Sequence, residues 1–262
     1  MKLILSRKGS DSSYGKRPSP IGSDGSMISI PIPEDGFKHG ITYNSIRGLP
    51  QVLSGPAHLD PDLRKQARSR KPGWKPAFGQ CDAALTHLLN QGVGKGDLFV
   101  FYGWFNGPGL PAKGSHVIWG WLQVGDIYWP GLQNLPDWLR DHPHACPYLK
   151  PHSSNAIYTA TDKLNIDGVN GLPGAGTFDI FRSCLRLSYG EKMSHWCVPS
   201  ALVPSCQSSQ TISRHTRKNY TDLGDGTAVL ATKSPGQEYV IDCDKHPASL
   251  EWILSKLQFP RQ

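Results

Sequence analysis

The sequence has no apolar run long enough to cross a lipid bilayer, and charge returns at Arg7 after the three apolar residues 3–5. A membrane-spanning helix needs about 20 apolar residues, and a secretory signal needs an apolar stretch of about 7–15. Neither is expected, and no membrane partner is predicted. The six cysteines show no paired spacing, which favours reduced thiols in a cytoplasmic protein.

Familiar phosphate and metal motifs are also missing. The chain has no Gly-Lys-Ser/Thr triplet of a Walker A loop, and no Cys-x-x-Cys or His-x-x-x-His pair. His142, His144, Cys146 and His152 offer the chemistry of zinc ligands, but their spacing fits no standard zinc module. No metal site is therefore predicted, and no cofactor is expected because nothing in the sequence indicates one.

Composition and periodicity favour a loop-rich α+β fold. With 28 Gly, 22 Pro, 38% hydrophobic and 19% charged residues, the chain is typical of a globular protein with many short strands. The predicted strands are residues 2–6, 27–32, 98–102, 116–124, 155–160 and 238–243, and the predicted helices are 80–91 and a closing helix from 247. Residues 188–204 are expected to pack irregularly. We expect a mixed sheet or a partly closed barrel with a few flanking helices.

Positive charge is concentrated in the N-terminal third. Residues 1–75 contain 13 Lys and Arg against six Asp and Glu, whereas residues 76–262 contain 15 of each. The chain is therefore expected to form a single domain over residues 1–262, in which a basic lobe of residues 1–75 could pack on a strand-rich core of residues 76–262. A localised cationic surface favours anionic partners, phosphate first among them, although a solvated face of a basic protein is the alternative.

Two resemblances point in the same direction. The Gly96-Asp97 turn, the strand that follows it and the next strand resemble the PUA-like barrels of the EVE, ASCH and YTH groups, in which the barrel mouth takes a nucleobase. A longer similarity rests on SRKGSDSSYG, PSPI, HLDPDLR, FGQ, GDLFVFYGWF, HVIWGWLQVGDI, HPH and EYVIDCD. These stretches resemble the nucleotide modification associated domain family, third class. The resemblance implies a role in systems that hypermodify DNA bases, with base-modifying enzymes as possible partners.

The polar loop after the first strand is the first candidate site. Its hydroxyls, cations and glycine backbone suit a phosphate, although a hydrogen-bonded surface turn explains the same residues. The nucleotide-binding prediction covers Ser6, Arg7, Lys8, Gly9, Ser12 and Ser13. Lys8 and Asp11 are also candidate catalytic residues.

A second candidate is His58-Leu59-Asp60-Pro61-Asp62. Pro61 favours an extended Asp60, which would place the His58 and Asp60 side chains on one side. The pair could act as a general base with its orienting carboxylate, or bind a metal. The favoured alternative for Asp60 is a helix N-cap with proline at the first position.

Aromatic side chains supply the third candidate. Eight of them fall between residues 101 and 129, and most are expected in the core. Trp104 is predicted to stack a base, with His116 beside it. Gln80 could read a base edge through its amide, or simply begin a helix.

Together these features predict binding of a nucleotide, or of a modified base in nucleic acid, within a base-modification system. Lys8 and Trp104 are expected to line one hollow. The alternative is an enzyme that transfers or removes a group on a base or nucleotide, using loop 6–15 with His58 and Asp60.

Overall fold

The computed structural model describes residues 1–34, 40–145, 154–233 and 238–258, and these form a strand-rich α+β fold. The strands are β1 Lys2–Arg7, β2 Ser19–Pro20, β3 Ile32–Pro33, β4 Ala57–His58, β5 Ala77–Cys81, β6 Leu98–Asn106, β7 Ser115–Tyr128, β8 Asn155–Ala160, β9 Ala175–Thr177, β10 Ser188–Tyr189, β11 Lys192–Pro199, β12 Tyr220–Asp222, β13 Thr227–Ala231 and β14 Glu238–Asp242. The helices are α1 Asp82–Asn90 and α2 Pro247–Leu257, with 3₁₀ turns at Tyr43–Ser45, Lys65–Ala67, Asp137–Leu139, Pro143–Ala145, Ser183–Leu185, Ser200–Leu202 and Arg217–Asn219.

The largest sheet is mixed and has the order β14-β1-β6-β7-β8-β5, with β2 added beside β6 and β9 beside β7. Strands β1 and β6 are parallel, whereas β1 and β14 are antiparallel. Most side chains of β6 and the first ten of β7 are buried, because both faces of the sheet are covered. Their near-continuous apolar sequence is what such a position requires.

Strand pairing does not close this sheet into a barrel within the described residues, but a side-chain contact links its two edge strands. Gln80 of β5 donates from Nε2 to Glu238 Oε1 of β14 at 2.5 Å. Lys8 lies 3.2 Å from the same carboxylate oxygen. The sheet therefore curls until its edges meet through a buried polar group and not through backbone hydrogen bonds.

Two further units pack on this sheet. A four-stranded antiparallel sheet, β10-β11-β13-β12, contributes Trp196 to the main core. A separate small apolar cluster is formed by Ile30, Ile41, Tyr43, Ile46, Leu53, Ala57, Leu59 and Ala67. The small cluster sits within the basic N-terminal third.

Several local predictions are wrong. Residues 27–31 are not in a strand, Gln80 belongs to β5 and does not begin a helix, and residues 188–199 are largely strands β10 and β11. Asp60 caps no helix either, because the next helical turn begins at Lys65 with Arg64 at its N-cap. In each case contacts from distant parts of the chain outweigh the local signal.

The positive charge of the N-terminal third is partly neutralised. Acidic residues from outside this segment pair with Arg68, Lys71 and Lys75, and Arg70 pairs with Asp62 at 2.5 Å. No helix among the described residues has the length and apolar character needed to span a membrane.

Candidate functional site

A buried carboxylate beside the edge of β5 forms the centre of the candidate site. The Asp60 side chain is 4% exposed, and its Oδ1 accepts the backbone N–H of Gly79 at 2.7 Å. Strand β5 is the last strand in the sheet order, so the Gly79 N–H group on its open edge is satisfied by a side chain and not by a neighbouring strand. Asp60 thereby completes the sheet edge.

Three imidazoles surround this carboxylate. His142 Nε2 lies 3.3 Å from Asp60 Oδ1, and His144 Nε2 lies 3.7 Å from Oδ2. The ring of His58 is 5.4 Å from that of His144 between centroids. One ligand atom each from His58, Asp60 and His144 lie within 4.8 Å of one another, so these three residues could hold a metal ion.

Outer contacts orient two of the imidazoles. Glu34 Oε2 lies 2.6 Å from His58 Nδ1. Asn155 donates from Nδ2 to the backbone carbonyl of His144 at 2.8 Å, which turns its Oδ1 toward His144 Nδ1 at 2.9 Å. Because Oδ1 only accepts, Nδ1 of His144 carries the hydrogen and Nε2 presents a lone pair toward Asp60.

His142 has the opposite tautomer. Its Nδ1 accepts the backbone N–H of His144 at 3.2 Å, so a neutral ring carries its hydrogen on Nε2. That nitrogen is buried and makes no hydrogen bond to any described residue, although Asp60 lies close enough to attract it. His142 therefore lies beside Oδ1 of the carboxylate, whereas His144 lies beside Oδ2.

Burial and proximity set the charges of the cluster. Burial alone would raise the pKa of Asp60, but His142, His144 and His58 outweigh it and the pKa is lowered. Burial lowers the pKa of His144 to about 4, against the opposing pull of Asp60. At neutral pH an ionised carboxylate therefore lies beside a neutral imidazole that can accept a proton or bind an ion.

A partly open cavity reaches the same carboxylate. Its wall is mostly apolar, and it lies between the main sheet and the small apolar cluster. Gly9, Asp60, Arg64, Trp119 and Phe178 are among the residues that line it. Asp60 belongs both to this wall and to the histidine cluster, which joins binding space to chemistry.

Two polar groups of the cavity wall have no partner in the described part of the chain. Trp119 stacks on Phe101 with centroids 5.7 Å apart, and its buried Nε1 makes no hydrogen bond. The side chain of Arg64 forms no hydrogen bond or ion pair with the residues described, and it also lines an adjoining cavity. Arg64 thus supplies a cation to the ligand space, whereas Trp119 Nε1 is enclosed by protein next to Gly103.

The predicted phosphate loop is largely bonded to itself. Asp11 Oδ1 accepts the backbone N–H groups of Ser13 and Tyr14, each at 2.7 Å, and Arg7 lies 3.3 Å from Asp11. Ser12 and Ser13 are exposed. These N–H groups are not available to a phosphate in this conformation, and Asp11 holds the turn.

Other members of the loop serve the sheet and the cavity. Lys8 lies 4.7 Å above the ring of Phe78 and pairs with Glu238, while Ser6 is fully buried with no hydrogen-bond partner for its Oγ among the described residues. An added Cβ on Gly9 would lie 3.1 Å from the carbonyl oxygen of Ile30. Gly9 therefore permits a close backbone approach at the cavity wall.

Trp104 and His116 lie elsewhere. They are partners across β6 and β7; Trp104 Nε1 donates to Lys113 O, and His116 Nδ1 accepts Trp196 Nε1 at 3.1 Å. These contacts place them on the sheet face opposite Lys8, which packs on Phe78. The expectation that Lys8 and Trp104 line one hollow is therefore not met, because alternate residues of a strand point to opposite faces.

Sequence reasoning missed several residues that form the site. The sequence indicates His142 and His144 only together with Cys146 and His152, which lie outside the described residues, and no sequence pattern singles out Glu34, Arg64, Asn155 or Trp119. The sequence signal for this site is the combination of His-x-Asp at residues 58–60 with His-x-His at residues 142–144, two short patterns about 80 residues apart in the chain. The pairing of β5 with β8 joins them, since Cys81 is opposite Asn155.

No curated protein and no solved structure matches the chain, but a protein family does. The family described as nucleotide modification associated domain 3 matches residues 2–242, which includes every described residue of the cluster and of the cavity wall. The chain therefore belongs to the nucleotide modification associated domain 3 family, and this membership associates it with nucleotide modification systems.

Proposed function

We propose that this protein is an enzyme that transfers or removes a group on a base or nucleotide, with the His58, Asp60 and His144 cluster as its reaction centre. Asp60 carries the proposal, because it lines the ligand cavity and is surrounded by oriented imidazoles. Nucleic acid and base-modifying enzymes of the same system are its proposed partners.

The cavity suits a nucleobase. Its mostly apolar wall, which includes Trp119 and Phe178, suits a planar ring, and base–aromatic stacking contributes about 1–3 kcal/mol per base in single-strand binders. Arg64, between the two cavities, would hold a phosphate through its guanidinium group.

The cluster suits proton transfer or ion binding better than structural support. A buried carboxylate is costly unless it is hydrogen-bonded and paired, and perturbed groups that border a cleft are typical of functional sites. Its two outer contacts, from Glu34 and Asn155, fix ring orientation as catalytic centres require. The His58 side chain, which is 19% exposed, gives the centre access to solvent.

The reader hypothesis, in which a cage of exposed rings binds a modified base, has less support. Trp104 is fixed by its hydrogen bond to Lys113, and His116 is buried against Trp196. A reader that used Trp104 would lose binding on Trp104→Ala and keep it on Asp60→Asn. The enzyme proposal expects binding to survive both changes and product to disappear with Asp60→Asn.

Binding is tested by calorimetric titration with the four 2′-deoxynucleoside 5′-monophosphates and with a short single-stranded oligonucleotide. Arg64→Met should weaken binding by about 10-fold or more, since a charged hydrogen bond contributes about 1.5–3 kcal/mol. The matched control is Lys65→Met, which removes the same charge from the exposed neighbouring residue. Equal losses in the two variants would mean that only net charge matters.

Chemistry is tested by mass spectrometry of nucleosides from cells that express the chain with its genomic neighbours. Asp60→Asn keeps an acceptor for the Gly79 N–H group and removes the charge, so a folded variant is expected that yields no modified nucleoside. Product formation at the wild-type level by folded Asp60→Asn would refute the proposed centre.

A further inference from the structure

The orientation of His144 places two hydrogen-bond acceptors opposite each other in the protein interior. Asn155 fixes the hydrogen on Nδ1, so the lone pair of Nε2 is directed toward Asp60 Oδ2 at 3.7 Å. Both side chains are nearly inaccessible, at 7% and 4% exposure. Two acceptors at this distance repel unless a cation lies between them, and His142 lies beside the other oxygen.

The distances fit a metal ion in that position. An ion bonded to both His144 Nε2 and Asp60 Oδ2 at about 2.0–2.2 Å would bridge their separation of 3.7 Å. The two bonds would then make an angle of about 120° at the ion, near the tetrahedral value. His58 brings a third ligand atom to the group, all within 4.8 Å of one another. In a tetrahedral site two such bonds place their ligand atoms about 3.4 Å apart. Closing the three ligands around one ion therefore requires the longest separation, at most 4.8 Å, to shorten by up to about 1.4 Å.

The outer contacts follow the pattern of known metal centres. Histidine ligands are commonly oriented by a carboxylate or an amide on their second nitrogen. Glu34 occupies this position on His58, and Asn155 occupies it on His144. The Gly79 N–H group and His142 support Asp60 in the same way.

We propose that His58, Asp60 and His144 bind a divalent first-row transition metal ion, with Zn²⁺ and Fe²⁺ as the ions best matched to two imidazoles and one carboxylate. The inference takes its catalytic meaning from the proposed function, because the ion would lie beside the cavity that holds the base. Three protein ligands leave at least one coordination position for water or substrate, as in catalytic metal sites.

The experiment uses full-length protein stripped with a chelator and titrated with Zn²⁺ by calorimetry, and with Co²⁺ by its visible ligand-field absorption. One equivalent is expected to bind to the wild-type protein. Asp60→Asn and His144→Gln should each weaken binding by about 100-fold or more, and Glu34→Gln, which alters only an outer contact, by about 10–100-fold. His195→Ala is the matched control, since His195 lies on the second sheet away from the cluster.

Weakened binding in the three cluster variants with unchanged binding in His195→Ala supports the site. Absence of stoichiometric binding to folded wild-type protein, or equal affinity in all four variants, overturns it. Should Asp60→Asn unfold, Glu34→Gln decides the result. Nucleotide titration of the same samples separates the two proposals, because metal binding without nucleotide binding refutes only the proposed function. Product made by the metal-free protein refutes only the catalytic role of the ion, since metal binding itself tests the site.

Discussion

Replacing Gly79 with alanine should damage the fold and the candidate site together. The strand residue is buried, and an added Cβ would lie 2.7 Å from the Cβ atom of His144 and closer still to its ring. Neither side can yield easily, because His144 is held by Asn155 and the backbone of β5 by its pairing with β8. Overpacking of this kind costs about 1–3 kcal/mol.

We therefore expect Gly79→Ala to lower the free energy of unfolding by about 2–3 kcal/mol and the melting temperature by about 4–10 °C. It should also weaken Zn²⁺ binding, because His144 must move away from Asp60. Gly94→Ala is the control: nothing lies within 4 Å of its added Cβ, and it should be neutral or slightly stabilising. Urea denaturation of both variants makes the measurement. Stabilities within 0.5 kcal/mol of each other, a difference typical of surface changes, would refute the packing of His144 on β5.

Two further predictions concern buried charge. Lys8→Met should destabilise the protein by about 3–5 kcal/mol, because it leaves the Glu238 carboxylate buried and without an opposite charge. In urea denaturation, the double variant that adds Glu238→Gln should recover much of this stability. Absence of any recovery would exclude the ion pair as the cause. Burial lowers the pKa of His116 in the folded protein to about 3, with a smaller contribution from Arg7. Below pH about 6.5 the unfolded chain therefore binds a proton at His116 that the folded protein does not. The free energy of unfolding should be highest above that pH and should fall as the pH decreases, by up to about 1.4 kcal/mol per pH unit. His116→Gln should show a shallower decline. Parallel curves of stability against pH for the two proteins would contradict the attribution to His116.

The elements that the sequence predicts well are those with strong local patterns. The continuous apolar runs of β6 and β7 and the clear boundaries of β8 are properties of neighbouring residues, so the chain itself specifies them. Strand β5 was missed because Phe78-Gly79-Gln80 is short and runs directly into α1. Its identity as a strand depends on β8, about 75 residues later.

Within the candidate site, the sequence indicated His58 and Asp60 as a pair but could not identify their partners. His142 and His144 approach Asp60 only because β5 pairs with β8 and because Gly79 lacks a side chain at the contact. The same limitation affected the loop of residues 6–15, where composition suited a phosphate. The folded loop instead places the carboxylate of Asp11 on its N–H groups.

The sequence by itself determined the family, the strand-rich class and the concentration of cationic residues in the first 75 positions, because each is a property of composition or of short contiguous segments. Only the tertiary structure decided which side chains meet. Strand pairing fixes the face on which each residue lies, so Lys8 and Trp104 are separated by a sheet while His58, Asp60 and His144 converge. Contacts between residues far apart in the chain depend on register and burial, and neither quantity is contained in any local stretch of sequence.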